Sequence, residues 1–173
     1  IPHFEASGKE LDEILVDEAS LETSVSENFA NAFTEIKYGA DGEHDTNKLA
    51  SQFAVNDEVA GLTATQTGAE IKVVANNEGT EIKGVLVGND PEVEAFTITL
   101  EPETGEVTLT QHRALKHSDA TTHNDKVSVK DGAIYIQATA IDGDDDEVTR
   151  EANIGDRFVF QDDGPKIIGT PDV

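Results

Sequence analysis

The sequence contains no cysteine, which excludes a disulfide framework and any thiolate metal site. A domain without such staples must be held by its core or by bound ions. Methionine and tryptophan are also absent. Lacking an initiator methionine, the chain reads as a fragment of a longer protein; lacking tryptophan, it has little aromatic surface on which to stack a sugar ring. Basic residues are scarce, with 12 Lys and Arg against 36 Asp and Glu and a formal charge of -24. That balance argues against nucleic acid and anionic membrane surfaces as partners, since both require a basic face. No apolar run approaches the roughly 18 residues of a membrane span, so no membrane insertion is expected, and the start has no signal-peptide pattern. The 173 residues suffice for one domain with a core of its own.

What is present is alternation. "VEAFTITLEP" sets Phe96, Ile98 and Leu100 against Thr97 and Thr99, and "GEVTLTQ" sets Val107 and Leu109 against Thr108 and Thr110. "KVSVK" and "GAIYIQATAID" repeat the pattern, the latter placing Ile134, Ile136, Ala138 and Ala140 on one face. Period two marks strands with one buried and one wet face, as in antiparallel sheets. Further strands are expected in "EILVDE", "AFTEIKYG", "LASQFAV", "AEIKVVAN", "TEIKGVLVG" and "RFVFQD". Turn residues punctuate these runs at short intervals, in "YGADGE", "ANNEGT", "EPETGE", "VKDGA" and "NIGDR". The pattern predicts an all-β fold, an antiparallel β-sandwich or barrel. The apolar residues of these runs and Phe158 should lie between two sheets, with the four threonines outside. One helical turn or two is expected in "SVSENFANAF", where Val25, Phe29 and Phe33 recur at i, i+4, i+8 behind Ser24 or Ser26. The opening "IPHFEASGKELDE" has no pattern, so residues 1–12 read as a poorly packed linker. The close "DDGPKIIGTPDV" reads as the exit to another module, with residues 166–173 as linker.

The densest chemistry is "IDGDDDEVT", which places five acidic residues in six positions, broken only by Gly143. Two carboxylates about 4 Å apart repel by roughly 1 kcal/mol in water and by several times more where water is partly excluded. Either the turn is splayed and solvated, or a cation holds it together. Ca²⁺ takes six to eight hard oxygen ligands, which Asp-rich loops supply. Asp142, Asp144 and Asp146 are the expected side-chain ligands, with Asp41 or Glu43 of "YGADGE" as partners from another loop. The spacing is not that of an EF-hand, because Glu147 and Asn153 stand where the turn Gly and the bidentate Glu belong. Asp17 and Glu18 in "LVDEAS" and Asp162 and Asp163 in "FQDDGP" lie at strand ends, where they either flank turns or join such a site. His112, His117 and His123 fit no zinc pattern. No nucleophile elbow, phosphate loop or dinucleotide fingerprint is present, so an enzyme is not expected.

Three segments, "LVDE", "GEVTLTQHRALKH" and "ATAIDGDDDEVT…IGDRFVFQDDGP", occur in an order that resembles the long repeat modules of giant bacterial RTX adhesins exported by type I secretion. The resemblance runs from about Glu13 to Pro165. It implies an Ig-like β-sandwich module over residues 13–165, one of several tandem copies in an extracellular stalk on the bacterial surface. It also implies Ca²⁺ as the stabilising ion, neighbouring modules of the same chain as partners, and a monomer in isolation. Contact with a host or surface ligand would run through other domains and would support adhesion and biofilm formation. The alternative is a ligand-binding module of the same adhesin, recognising glycan or peptide. The resembled modules usually read Asp-x-Asp-Gly-Asp at the acidic turn, where this sequence has Asp145 in place of the glycine.

Overall fold

A computed structural model describes residues 1–44, 49–88, 91–116 and 125–162; Asp163, His117, His123 and the exit segment 166–173 lie outside them. The described residues form twelve strands and four single 3-10 turns. The strands are β1 (Ile14–Asp17), β2 (Ser24–Asn28), β3 (Leu49–Val55), β4 (Val59–Thr63), β5 (Glu70–Ala75) and β6 (Glu81–Leu86). Then follow β7 (Glu94–Glu101), β8 (Glu106–Gln111), β9 (Lys126–Ser128), β10 (Ile134–Ile141), β11 (Glu147–Asn153) and β12 (Phe158–Gln161). A six-stranded sheet runs β2-β8-β7-β6-β5-β4, and two three-stranded sheets run β1-β12-β9 and β11-β10-β3. Both smaller sheets pack against the large one, through β1 on β2 and β8, and through β3 on β5 and β7. The fold is therefore all-β and sandwich-like, as the alternation predicts. Among the described residues, no helix is long and apolar enough to cross a membrane.

Register explains why the alternation had to be obeyed. Ile98 stands opposite Leu109 and Ile82, and Thr99 opposite Thr108, so these central rows are apolar on the inner face and polar on the outer. A one-residue slip would turn every apolar side chain of β7 outward. Phe96, Ile98, Leu100, Val107, Leu109, Ile134, Ile136 and Phe158 are all buried, each worth roughly 1.5–3 kcal/mol relative to exposure. The four threonines lie on the outer face, half-buried or exposed. Phe96 and Phe160 meet between the sheets with ring centroids 5.0 Å apart.

Four expectations need correction. The segment read as helical is β2 followed by one 3-10 turn, Ala30–Ala32. Ser24 and Ser26 do not cap a helix; their hydroxyls bond those of Thr110 and Thr108 across the strand pair, and pairing with β8 overrides the local spacing. The sandwich is not purely antiparallel, because β1 and β12 pair in parallel. "AFTEIKYG" is no strand and is held at two isolated bridges, His3 to Lys37 and Ala6 to Phe33.

The fourth concerns residues 1–11, expected to pack poorly. They form a strap along residues 32–37. Phe4 is buried with Ala138 and Ala140 in a small second core that Phe33, Ile36, Tyr38 and Val148 complete. Two arginines hold the strap by its backbone: Arg150 Nε donates to the Phe4 carbonyl at 3.1 Å and Arg157 Nη1 to that of Leu11 at 2.8 Å. One aromatic and two carbonyl anchors cannot be seen in a pattern without periodicity.

Two stability predictions follow from this packing. Phe4→Ala should cost about 3 kcal/mol in urea unfolding, the usual loss for a buried phenylalanine; an unpacked linker would show no change. Gly84 faces Phe96 across β6 and β7, and a Cβ there would lie 2.3 Å from the Phe96 ring. Gly84→Ala should destabilise by about 1–3 kcal/mol, and much less in a Phe96→Leu background.

Candidate functional site

The acidic turn joins β10 to β11, and Asp142 builds it. Asp142 follows the last residue of β10, and its side chain has no solvent exposure. Its Oδ1 accepts the backbone N–H groups of Asp144 at 3.0 Å and Asp146 at 2.9 Å. The Asp142 N–H donates to the Asp146 carbonyl at 3.0 Å, and the Asp145 N–H to the Asp142 carbonyl at 3.1 Å. One carboxylate oxygen thus folds the turn on itself. Asp145 pays for this closure with a left-handed backbone at φ 65°, a region Asp tolerates better than most residues.

A second loop lies against the first. A 3-10 turn at Gly39–Asp41 ends at Gly42, whose carbonyl accepts the Gly143 N–H at 3.0 Å. Glu43 bridges to Asp142, and the His44 N–H donates to the Ile141 carbonyl at 3.0 Å. A Cβ at Gly143 would lie 2.4 Å from the Asp41 carbonyl oxygen. Glycine is needed there because another backbone occupies the space a side chain would take. His44 Nε2 reaches Asp145 Oδ1 at 3.1 Å, a further tie between the loops.

The remaining oxygen, Asp142 Oδ2, accepts no directed hydrogen bond. Facing it at 2.9 Å is the α-ammonium of Ile1, which also stands 3.9 Å from Asp146 Oδ2. A monovalent cation therefore sits among carboxylates at the meeting of the two loops. In any chain with residues before Ile1, the same nitrogen would be an uncharged amide. The donors are all hard oxygens, which suits Ca²⁺ or Mg²⁺ rather than a transition metal. Among the described residues, no three Asp, Glu or His side chains close around one point. The donor chemistry fits a hard divalent cation; enclosing one needs rotation of Asp144 and Asp146, which are exposed.

The loop that carries Asp41 and Glu43 thus lies against the turn that carries Asp142, Asp144 and Asp146. Asp17, Glu18 and Asp162 form a separate group at one end of the β1-β12-β9 sheet, where Asp17 pairs in register with Gln161 and Gln161 with Lys126. Asp17 Oδ1 accepts the Ala19 N–H at 2.8 Å and caps a 3-10 turn. Glu18 Oε2 accepts the Leu115 N–H at 2.9 Å. The Asp162 N–H donates to the Asp125 carbonyl at 2.8 Å.

Residues 13–155 match a family described as a domain of unknown function, DUF5801. The chain belongs to the DUF5801 family. Comparison with curated proteins gives no match.

Charge in this DUF5801 domain is balanced unevenly. The Ile1 ammonium, opposed by burial and helped by the Asp146 and Asp144 N–H groups, holds Asp142 below the usual carboxylate range. Asp144 is pushed above it, chiefly by the charge of Asp41, then by partial burial and by Asp142. The two shifts have opposite consequences. Asp142 contributes stability above the unfolded carboxyl pKa of about 3.9, and that contribution is lost as pH falls through its depressed folded value. Asp144 costs stability as pH rises from about 3.9 through its raised folded value. Asp144→Asn keeps the backbone donor and removes the charge. In chelator, the variant should melt higher than the parent at pH 7, with the difference vanishing below about pH 3.9, as read by thermal scans across pH.

Proposed function

We propose that this DUF5801 domain is a Ca²⁺-stabilised structural extender of an RTX-type adhesin, displayed outside the bacterial cell in series with neighbouring modules. The observation that carries this reading is the buried Asp142 carboxylate, which folds one acidic turn at its junction with a second acidic loop. Asp142, Asp144 and Asp146, with Asp41 or Glu43 from the facing loop, are the residues that would hold the ion. Bound there, Ca²⁺ supplies positive charge where both loops bring carboxylates. Asp145 adds support: its left-handed backbone falls where the resembled modules carry glycine, so the turn keeps that geometry without the residue.

A spacer needs a stiff body rather than a deep pocket. A groove of about 410 Å³ is lined largely by the strap and by the charged residues Asp131, Glu151, Asp156 and Arg157. A more apolar groove of about 280 Å³ beside Phe4 and Phe33 is where the alternative, a glycan- or peptide-binding module, would place its ligand.

The test is thermal unfolding in millimolar Ca²⁺ against chelator at matched ionic strength, on the chain with a free and with an acetylated Ile1 amine. Acetylation removes the cation now facing Asp142. It should lower the midpoint in chelator and enlarge the Ca²⁺-induced rise, which corresponds to about 2.7 kcal/mol at a hundredfold excess over Kd. Asp142→Asn should abolish most of that rise. Two copies in tandem should lengthen in small-angle scattering when Ca²⁺ is added. Equal midpoints in Ca²⁺ and chelator for both forms of the amine would overturn the reading.

A further inference from the structure

The outer face of the six-stranded sheet carries a second constellation, which the histidine spacing in the sequence concealed. His112 follows β8 directly, and its Nδ1 lies 2.5 Å from Glu22 Oε1. Its Nε2 lies 3.1 Å from the Thr97 hydroxyl on β7. An ionised carboxylate only accepts, so Nδ1 carries the proton and donates to Glu22. That tautomer leaves Nε2 as the acceptor for the Thr97 O–H. A hydroxyl, an imidazole base and a carboxylate that orients the base are thereby in sequence, the order on which hydroxyl nucleophiles are activated. Glu22 is one of only two non-glycine residues with positive φ among the described residues, at 69°. Its N–H is fixed by the Gln111 carbonyl at 2.8 Å. Such a backbone costs on the order of 1–3 kcal/mol, and here it delivers the carboxylate to His112.

His112 also borders a groove of about 210 Å³, lined by Leu21, Leu86 and Arg113 among others, which Thr97 does not line. Leu21 is an exposed apolar residue. Lys83 stands opposite Thr97 in register on β6. It brings the only positive charge to the row Ser24, Thr110, Thr97, Lys83, Val74, and its Nζ lies 3.5 Å from Glu94 Oε2.

We propose that Thr97, His112 and Glu22 form an acyl-accepting site for small carboxylic esters, in addition to the spacer role. The Thr97 oxygen attacks the ester carbonyl carbon while His112 Nε2 takes its proton. The tetrahedral adduct expels the alkoxide or phenolate, which recovers that proton from His112, and the acyl group stays on Thr97 as an ester. Water, deprotonated by His112 in turn, releases the carboxylic acid and restores the hydroxyl. Glu22 touches no substrate and acts as a positioning residue.

The probe is p-nitrophenyl acetate, offered to the whole chain, with p-nitrophenolate release followed by absorbance and the acetylated residue located by peptide mass spectrometry. The acetyl group should map to Thr97. Thr97→Val keeps the side-chain shape and should lower the release rate at least tenfold, as should His112→Gln, in line with the 10²–10⁴ typical of general base catalysis. Thr97→Ser should retain the reaction, and Glu22→Gln should slow it and shift its pH profile. Unfolding midpoints report whether each variant is folded, and mapping on the parent chain needs no variant. Acetylation confined to lysines or to His112, or a Thr97→Val rate equal to that of the parent, would overturn the proposal.

Discussion

The geometry of the acidic end depends on how one buried carboxylate distributes its two oxygens. Oδ1 of Asp142 collects two backbone N–H groups and so fixes the turn from β10 to β11. Oδ2 is left to a cation. With a net charge of -24, the chain has few positive groups to spare. The loop facing this turn brings Asp41 and Glu43 rather than a lysine or arginine. Backbone hydrogen bonds hold the loops together while their side chains repel, and the raised Asp144 carboxyl records that opposition. A neutralising ion bound there would act on the fold and on the site at once, because the same carboxylates shape both.

The strap shows the same economy in apolar form. The Ile134 and Ile136 end of β10 faces the main core, while its Ala138 and Ala140 end faces Phe4. Small residues on that part of the strand leave space that the N-terminal segment fills. The Arg150 and Arg157 side chains then satisfy strap carbonyls. The docking that closes this second core also brings the Ile1 nitrogen to Asp142.

The outer sheet face has a different character. Its cross-strand hydroxyl pairs, Ser24 with Thr110 and Ser26 with Thr108, satisfy one another. Thr97, one strand further in, has its hydroxyl directed at His112 instead. His112 continues the outward alternation of Thr108 and Thr110, with its N–H still donating to the Ala95 carbonyl of β7 at 2.7 Å, which sets its ring diagonal to Thr97.

Alternation of apolar and polar residues determined from sequence alone that β5 to β8 and β10 are strands, and which side of each is buried. A period of two leaves no other arrangement in which those side chains avoid water. The composition likewise determined that the chain must manage negative charge, and the density of "DGDDDE" located where. Tertiary structure alone decided that β1 and β12 run parallel, that Ser24–Asn28 is a strand, and that residues 1–11 are packed. Each of these rests on a partner far away in sequence: β12, β8, and the arginines of β11 and of the turn before β12. Tertiary structure also decided which acidic residues meet. Asp41 and Asp142 are joined by backbone contacts around Gly143, whereas Asp17 and Glu18 went to local capping and to the Leu115 N–H. His112, Thr97 and Glu22 lie 15 and 90 residues apart along the chain. No spacing rule joins residues whose only common feature is the sheet face they share.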